Sequence, residues 1–238
     1  MTRNLAKLIT IFIIGTIGGI FADQILWPYF VERPLFSEYR LEQNPVYVTE
    51  FKEVTVQENT ALKDAIAKVA KTVVGIQTET AEGEILEGSG LIITSDGLIV
   101  TLAELVPQGS SFSFFVEDKK ANYQILKRDL EKNLALIKLE KENMSTVSFA
   151  DVNRLKAGER VFLVGLKMTE ARPLSVVNEG IIKSFDEDYL YTNISESLFL
   201  SGSPLFNIKG ESLGLNIIDT EGKIATIPIN IVKAFIGM

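Results

Sequence analysis

Short runs of β-branched and aromatic residues recur about every ten residues from Thr72 to Ile229, and this spacing limits the possible folds more than any other feature of the chain. The runs are TVVGIQTE, GLIITSDGLIVT, SFSFFVE, NYQILK, LALIKLE, RVFLVGL, EGIIKSF, YLYTNI, SLGLNII and KIATIPI. Turn dipeptides separate several of them: Asp96-Gly97, Lys209-Gly210 and Glu221-Gly222. A helical period appears only twice in this region. Leu62, Ala65, Ile66 and Val69 share one helix face behind a capping Asn59 or Thr60, and Asn230 to Phe235 reads as a closing helix with Asn230 as its cap. The expected fold class is all-β, a barrel or sandwich with short N- and C-terminal helices.

Two absences narrow the chemistry. The 238 residues include no His and no Cys, which excludes disulfides, Cys nucleophiles, thiolate–imidazole metal sites and any mechanism with imidazole as general base. Lys and Arg number 24 against 31 Asp and Glu, a net charge of −7, so binding to a nucleic-acid backbone is not expected. No cofactor and no metal are expected. Asp186-Glu187-Asp188 splays its carboxylates at a hairpin tip, and Asp219-Thr220-Glu221-Gly222 lacks the further oxygen ligands of a metal loop. Phe112, Phe114 and Phe115 read as core and barrel-rim packing.

The N-terminus differs from the rest. Leu8 to Ala22 carries no charge and follows Arg3 and Lys7. About 20 residues are needed to cross a bilayer, and residues 8–27 suffice if Asp23 and Gln24 reach the outer interface, with Trp27, Tyr29 and Phe30 at headgroup depth. The basic N-terminus places the remainder outside the cytoplasmic membrane. A cleaved signal peptide is the alternative, with Ile20-Phe21-Ala22 as a poor cleavage site. The expected organisation is an anchor over 1–30, a tether with a possible added strand over 31–59, and a folded domain over 60–238.

Five segments, in order, give a resemblance to a known family: Gly88-Ser89-Gly90 before LIITSDGLIVT, Asn133-Leu134-Ala135-Leu136-Ile137-Lys138, Asn178-Glu179-Gly180-Ile181-Ile182, Ser201-Gly202-Ser203-Pro204-Leu205, and Ile227-Pro228-Ile229-Asn230 leading to Val232-Lys233. Together they resemble a trypsin-like serine protease of the HtrA/Deg type over roughly residues 62–236. The resemblance implies a double β-barrel with a peptide cleft, trimeric assembly with itself or with related proteases, and extracytoplasmic protein quality control. No C-terminal PDZ domain is expected after Met238.

The departures from that pattern fall on the catalytic positions. The resemblance puts Glu104 where the family has His, Asn133 where it has Asp, and Ser201 at the nucleophile, with Phe199 replacing a Gly whose N–H helps form the oxyanion hole. A Ser hydroxyl without an adjacent base is a weak nucleophile. A carboxylate, ordinarily near pKa 4.3, accepts a proton poorly at neutral pH. A bulky residue in the left-handed backbone region that Gly adopts freely is also costly. The expectation is a degenerate site in a membrane-anchored pseudoprotease that binds peptides or unfolded segments, or serves as a scaffold or regulatory subunit. The alternative is an active endopeptidase using Ser201 with Glu104 as an unusual base.

Overall fold

The computed structural model describes residues 2–27, 60–169 and 172–238. The expected tether over 31–59, and Tyr29 and Phe30, lie outside the described residues. The chain divides into two compact units, residues 1–55 and 56–238.

In the first unit, helix α1 (Thr2–Phe21) runs into a π-helical turn over Ala22–Leu26. The stretch Asn4–Leu26 is long and apolar enough to cross a membrane. Its two threonines satisfy their hydroxyls internally: Thr10 Oγ1 donates to the Ala6 carbonyl and Thr16 Oγ1 to the Phe12 carbonyl, each at 2.9 Å. No uncompensated hydroxyl therefore interrupts the apolar surface.

The second unit begins with helix α2 over 60–69, on which Ala65 and Val69 are buried and Leu62 and Ile66 pack at the edge of the same cluster. Seven strands follow: β1 (Val73–Glu79), β2 (Ile85–Ile92), β3 (Leu98–Thr101), β4 (Ser111–Val116), β5 (Lys119–Ala121), β6 (Tyr123–Asp129) and β7 (Leu134–Leu139). They form one sheet in the order β5-β4-β1-β2-β3-β7-β6. Six more close a barrel in the order β10-β13-β12-β11-β8-β9: β8 (Arg160–Lys167), β9 (Leu174–Phe185), β10 (Leu190–Ser195), β11 (Pro204–Asn207), β12 (Ser212–Ile218) and β13 (Lys223–Pro228). Helix α3 (Ile229–Ile236) ends the chain's regular structure. The all-β expectation is met, with one closed barrel and one sheet that curls into a half-barrel.

The run GLIITSDGLIVT forms two strands, β2 and β3, turning at the expected Asp96-Gly97 dipeptide, where the φ of 101° at Gly97 suits a residue without Cβ. One detail differs from the sequence reading. Asn230 does not cap α3; Pro228 holds that position and the helix starts at Ile229. Proline fits there because its fixed φ and missing N–H cost nothing at a helix entrance.

The packing explains why several strands read as continuous apolar runs. In β8, Val161 and Leu163 face the inside of the closed barrel, while Phe162 and Val164 face the layer shared with the first sheet. Leu91 and Val100 meet them from β2 and β3, and Phe162 stacks on Phe206 with ring centroids 5.5 Å apart. A strand buried on both faces shows no alternation. Helices α2 and α3 cover the same layer through Val69, Val232 and Phe235, and Lys127 Nζ donates to the Phe235 carbonyl at 3.1 Å.

Candidate functional site

Glu104 sits in a single 3-10 turn (Ala103–Leu105) directly after β3. Its neighbours are fixed from below. Thr78 Oγ1 donates to the Leu105 carbonyl at 2.6 Å, and Arg128 Nε donates to the Val106 carbonyl, also at 2.6 Å. Asn133, just before β7, holds the turn from the side. Its carbonyl accepts from Ala103 N at 3.1 Å, its Oδ1 accepts from Glu104 N at 3.0 Å, and its Nδ2 donates to Glu104 Oε2 at 2.9 Å. Asn133 adopts φ 51°, a left-handed conformation that a short polar side chain tolerates.

Ser201 lies on the other wall, at the C-terminal end of a 3-10 turn over Leu198–Leu200. It is 4% exposed. Its N–H donates to the Leu198 carbonyl at 2.9 Å, closing the turn, and its own carbonyl accepts from Ser89 N at 2.8 Å. Gly202 must be glycine: φ is 76°, and a Cβ would stand 2.2 Å from the Ser89 carbonyl oxygen. Gly88 is also confined, though without a left-handed backbone: a Cβ there would stand 2.8 Å from the Ser201 carbonyl oxygen. The two glycine-bearing segments thus press the barrels together beneath the site.

Phe199 does not take the left-handed conformation expected of its position. It lies within the 3-10 turn, and its ring packs against the closed barrel's core with Lys167 Nζ 4.8 Å from the ring centroid. Leu200 is fully buried. A carbonyl oxygen 2.9 Å from the Ser201 N–H occupies the line along which that group would meet an oxyanion.

Glu104, Phe199 and Ser201 line one cleft of about 620 Å³, together with Ile85, Leu86, Glu87, Leu105 and Leu198. Asn133 reaches it through Glu104. The positions singled out from sequence are therefore gathered in one place. Among the described residues no hydrogen bond joins Glu104 to Ser201, and the Ser201 hydroxyl has no partner.

A family model for the trypsin-like peptidase domain matches residues 88–215, more than half of the chain. The chain belongs to that family. Among relatives of this trypsin-like peptidase chain is a probable periplasmic serine endoprotease DegP-like protein of Rhizobium meliloti, 31% identical over 137 residues, covering 55% of this chain and 27% of the relative. A protein of the same description from Pseudomonas putida is 30% identical over 138 residues, 54% of this chain and 28% of the relative. The mitochondrial serine protease HTRA2 of Drosophila virilis is 28% identical over 174 residues, 63% of this chain and 38% of the relative. The match thus spans only about a quarter to two fifths of the length of these relatives.

One residue that supports the site, Asn216, escaped the sequence reading. Asn216, fully buried on β12, donates from Nδ2 to Ser203 Oγ at 3.1 Å and accepts from Thr226 Oγ1 at 2.6 Å, while its backbone N and O bind Ser203 and Gly202. The signal was an Asn inside SLGLNII, a polar residue at a core position that requires partners. Ser89 likewise serves both barrels: its Oγ accepts from Leu166 N at 2.9 Å and its carbonyl from Thr101 Oγ1 at 2.7 Å.

The acidic stretches form turns. Asp186 Oδ1 accepts from the N–H of Asp188 and of Tyr189, and Asp219 Oδ1 from those of Glu221 and Lys223. Of the three phenylalanines, Phe114 is fully buried, and Phe112 packs edge-on to Tyr123.

Proposed function

We propose that this chain is a membrane-anchored, extracytoplasmic pseudoprotease that holds extended peptide segments in its cleft without cleaving them. The observation carrying the proposal is the Glu104–Asn133 pair. The group standing in the base position is a carboxylate tied to an amide, it makes no hydrogen bond to Ser201, and the whole chain lacks an imidazole to replace it. The committed Ser201 N–H adds a second obstacle, since an acyl-transfer intermediate needs free donors.

Binding needs neither group. In β2, Ser89 turns its N–H and carbonyl away from β1, toward Ser201 and Thr101. By the two-residue period of a strand, Glu87 and Ile85 turn theirs the same way, into the cleft they line. On this side of β2, strand β3 covers only Leu91 and Ile92, so the edge from Ile85 to Glu87 is open among the described residues and suits an added peptide strand. The span Asn4–Leu26 serves as the anchor, with its basic end inside. Assembly into homo- or hetero-trimers with related proteases belongs to the same proposal.

The second reading, a working endopeptidase, draws on Ser201 and Glu104 sharing the cleft and on relatives described as serine endoproteases. Full-length protein in detergent, incubated with a fluorophosphonate from pH 4 to 8, separates the two. The expected result is no covalent adduct by intact mass. An adduct lost in Ser201→Ala would establish the second reading instead.

A further inference from the structure

The cleft is apolar except at three points. Its walls include Ile85, Leu86, Leu105, Leu198 and Phe199, and its polar groups are the Glu87 and Glu104 carboxylates and the Ser201 hydroxyl; among the described residues no basic one lines it. Glu104 is held more firmly than an exposed glutamate ordinarily is. Asn133 fixes one carboxylate oxygen and the backbone N–H, and Thr78 and Arg128 fix the two carbonyls that follow. The second carboxylate oxygen has no partner among the described residues. The Ser201 hydroxyl is also unpartnered and sits in a residue only 4% exposed that lines the same space. Lys167 Nζ lies 4.8 Å from the centroid of the Phe199 ring, and among the described residues no ion pair is formed by Glu87 or Glu104.

We propose that Glu104 is the recognition point for a cationic side chain, so that the cleft selects extended peptides in which a Lys or Arg is flanked by apolar residues. The inference rests on the peptide-binding reading above and adds to it the class of ligand. A fixed carboxylate loses little conformational entropy on pairing, and apolar walls strengthen an ion pair relative to open solvent. The apolar flanks bury Leu198, 52% exposed, and Ile85, 55% exposed. Ser201 supplies a hydroxyl that can donate to or accept from the peptide backbone.

The test uses full-length protein in detergent and a set of fluorescent, terminally blocked nonapeptides of Val and Leu, identical except for a central Lys, norleucine or Glu. Fluorescence anisotropy should show the Lys peptide bound about fivefold more tightly than the norleucine peptide, with the Glu peptide weakest. Raising salt from 50 to 500 mM should shrink that ratio. In Glu104→Gln, where Asn133 can still donate to the amide oxygen, the ratio should fall to about one, and Glu104→Lys should reverse the order in favour of the Glu peptide. Glu142→Gln, an exposed carboxylate outside the cleft with the same change in net charge, should keep the wild-type ratio. Equal binding of the Lys and norleucine peptides, or a preference that survives Glu104→Gln, overturns the inference and leaves peptide binding standing. If none of the peptides binds, the pseudoprotease's peptide-binding reading falls along with it.

Discussion

Asn216 shows how much of this site is held from beneath by single polar residues. Removing its side chain would leave the hydroxyls of Ser203 and Thr226 buried, Ser203 without its amide donor and Thr226 without its acceptor. Each buried group that loses its partner costs about 1–3 kcal/mol. Asn216→Ala should therefore lower unfolding stability by about 2–4 kcal/mol in a denaturant titration. A change below 1 kcal/mol would mean that the network does not support the Ser201 wall. The sequence announced Ser201 through its Ser-Gly-Ser-Pro surroundings, but it did not announce Asn216. A hydrogen bond across strands β11, β12 and β13 depends on register, and register depends on the whole barrel. Glu104 and Asn133, 29 residues apart in the chain, were legible only as substitutions in the family's pattern; their mutual hydrogen bonds were not.

At the scale of elements, the turn over Leu198–Leu200 matters more than either triad position alone. Its closing hydrogen bond consumes the Ser201 N–H, and Phe199 is accommodated only because the turn avoids the left-handed region. Restoring the ionisable partners should therefore be insufficient. In Glu104→His/Asn133→Asp, fluorophosphonate labelling of Ser201 should stay at least about 100-fold slower than in the triple variant that adds Phe199→Gly, the usual effect of an oxyanion donor. Equal labelling of the two variants would show that the turn opens without help. Strand β5 illustrates why some elements were missed: Lys119–Ala121 is a short, charged edge strand, which carries neither alternation nor apolar content. The long β9 was read only from Glu179 onward, yet its segment from Leu174 to Ile181 pairs with the whole of β8, Ile181 opposite Arg160 and Leu174 opposite Lys167. Its first half, LSVVN, gained its strand character from that partner.

For the whole molecule, the layer shared by the two sheets and both small helices ties the cleft walls into one cooperative structure, and surface charge adjusts its pH range. A hydrogen bond from Lys138 holds the Asp96 carboxyl below its ordinary value of 3.8, and one from Lys141 holds Glu117 below 4.5. A depressed folded pKa means that the unfolded chain binds the proton more readily. The stabilisation from both groups is then complete above about pH 5 and is lost as pH falls through the folded values. The melting temperature should drop between pH 5 and pH 3, with a shallower drop in Asp96→Asn/Glu117→Gln; identical slopes would remove these two pairs from the account. Both lie at turns and strand ends of the first sheet, and Glu104 and Ser201 are not part of either pair.

A pseudoprotease has no group to take the Ser201 proton, and turnover tests this. Full-length protein should release no peptides from unfolded casein at any pH from 4 to 8, beyond what the Ser201→Ala variant releases. Sustained release by the unsubstituted chain that Ser201→Ala abolishes would contradict it.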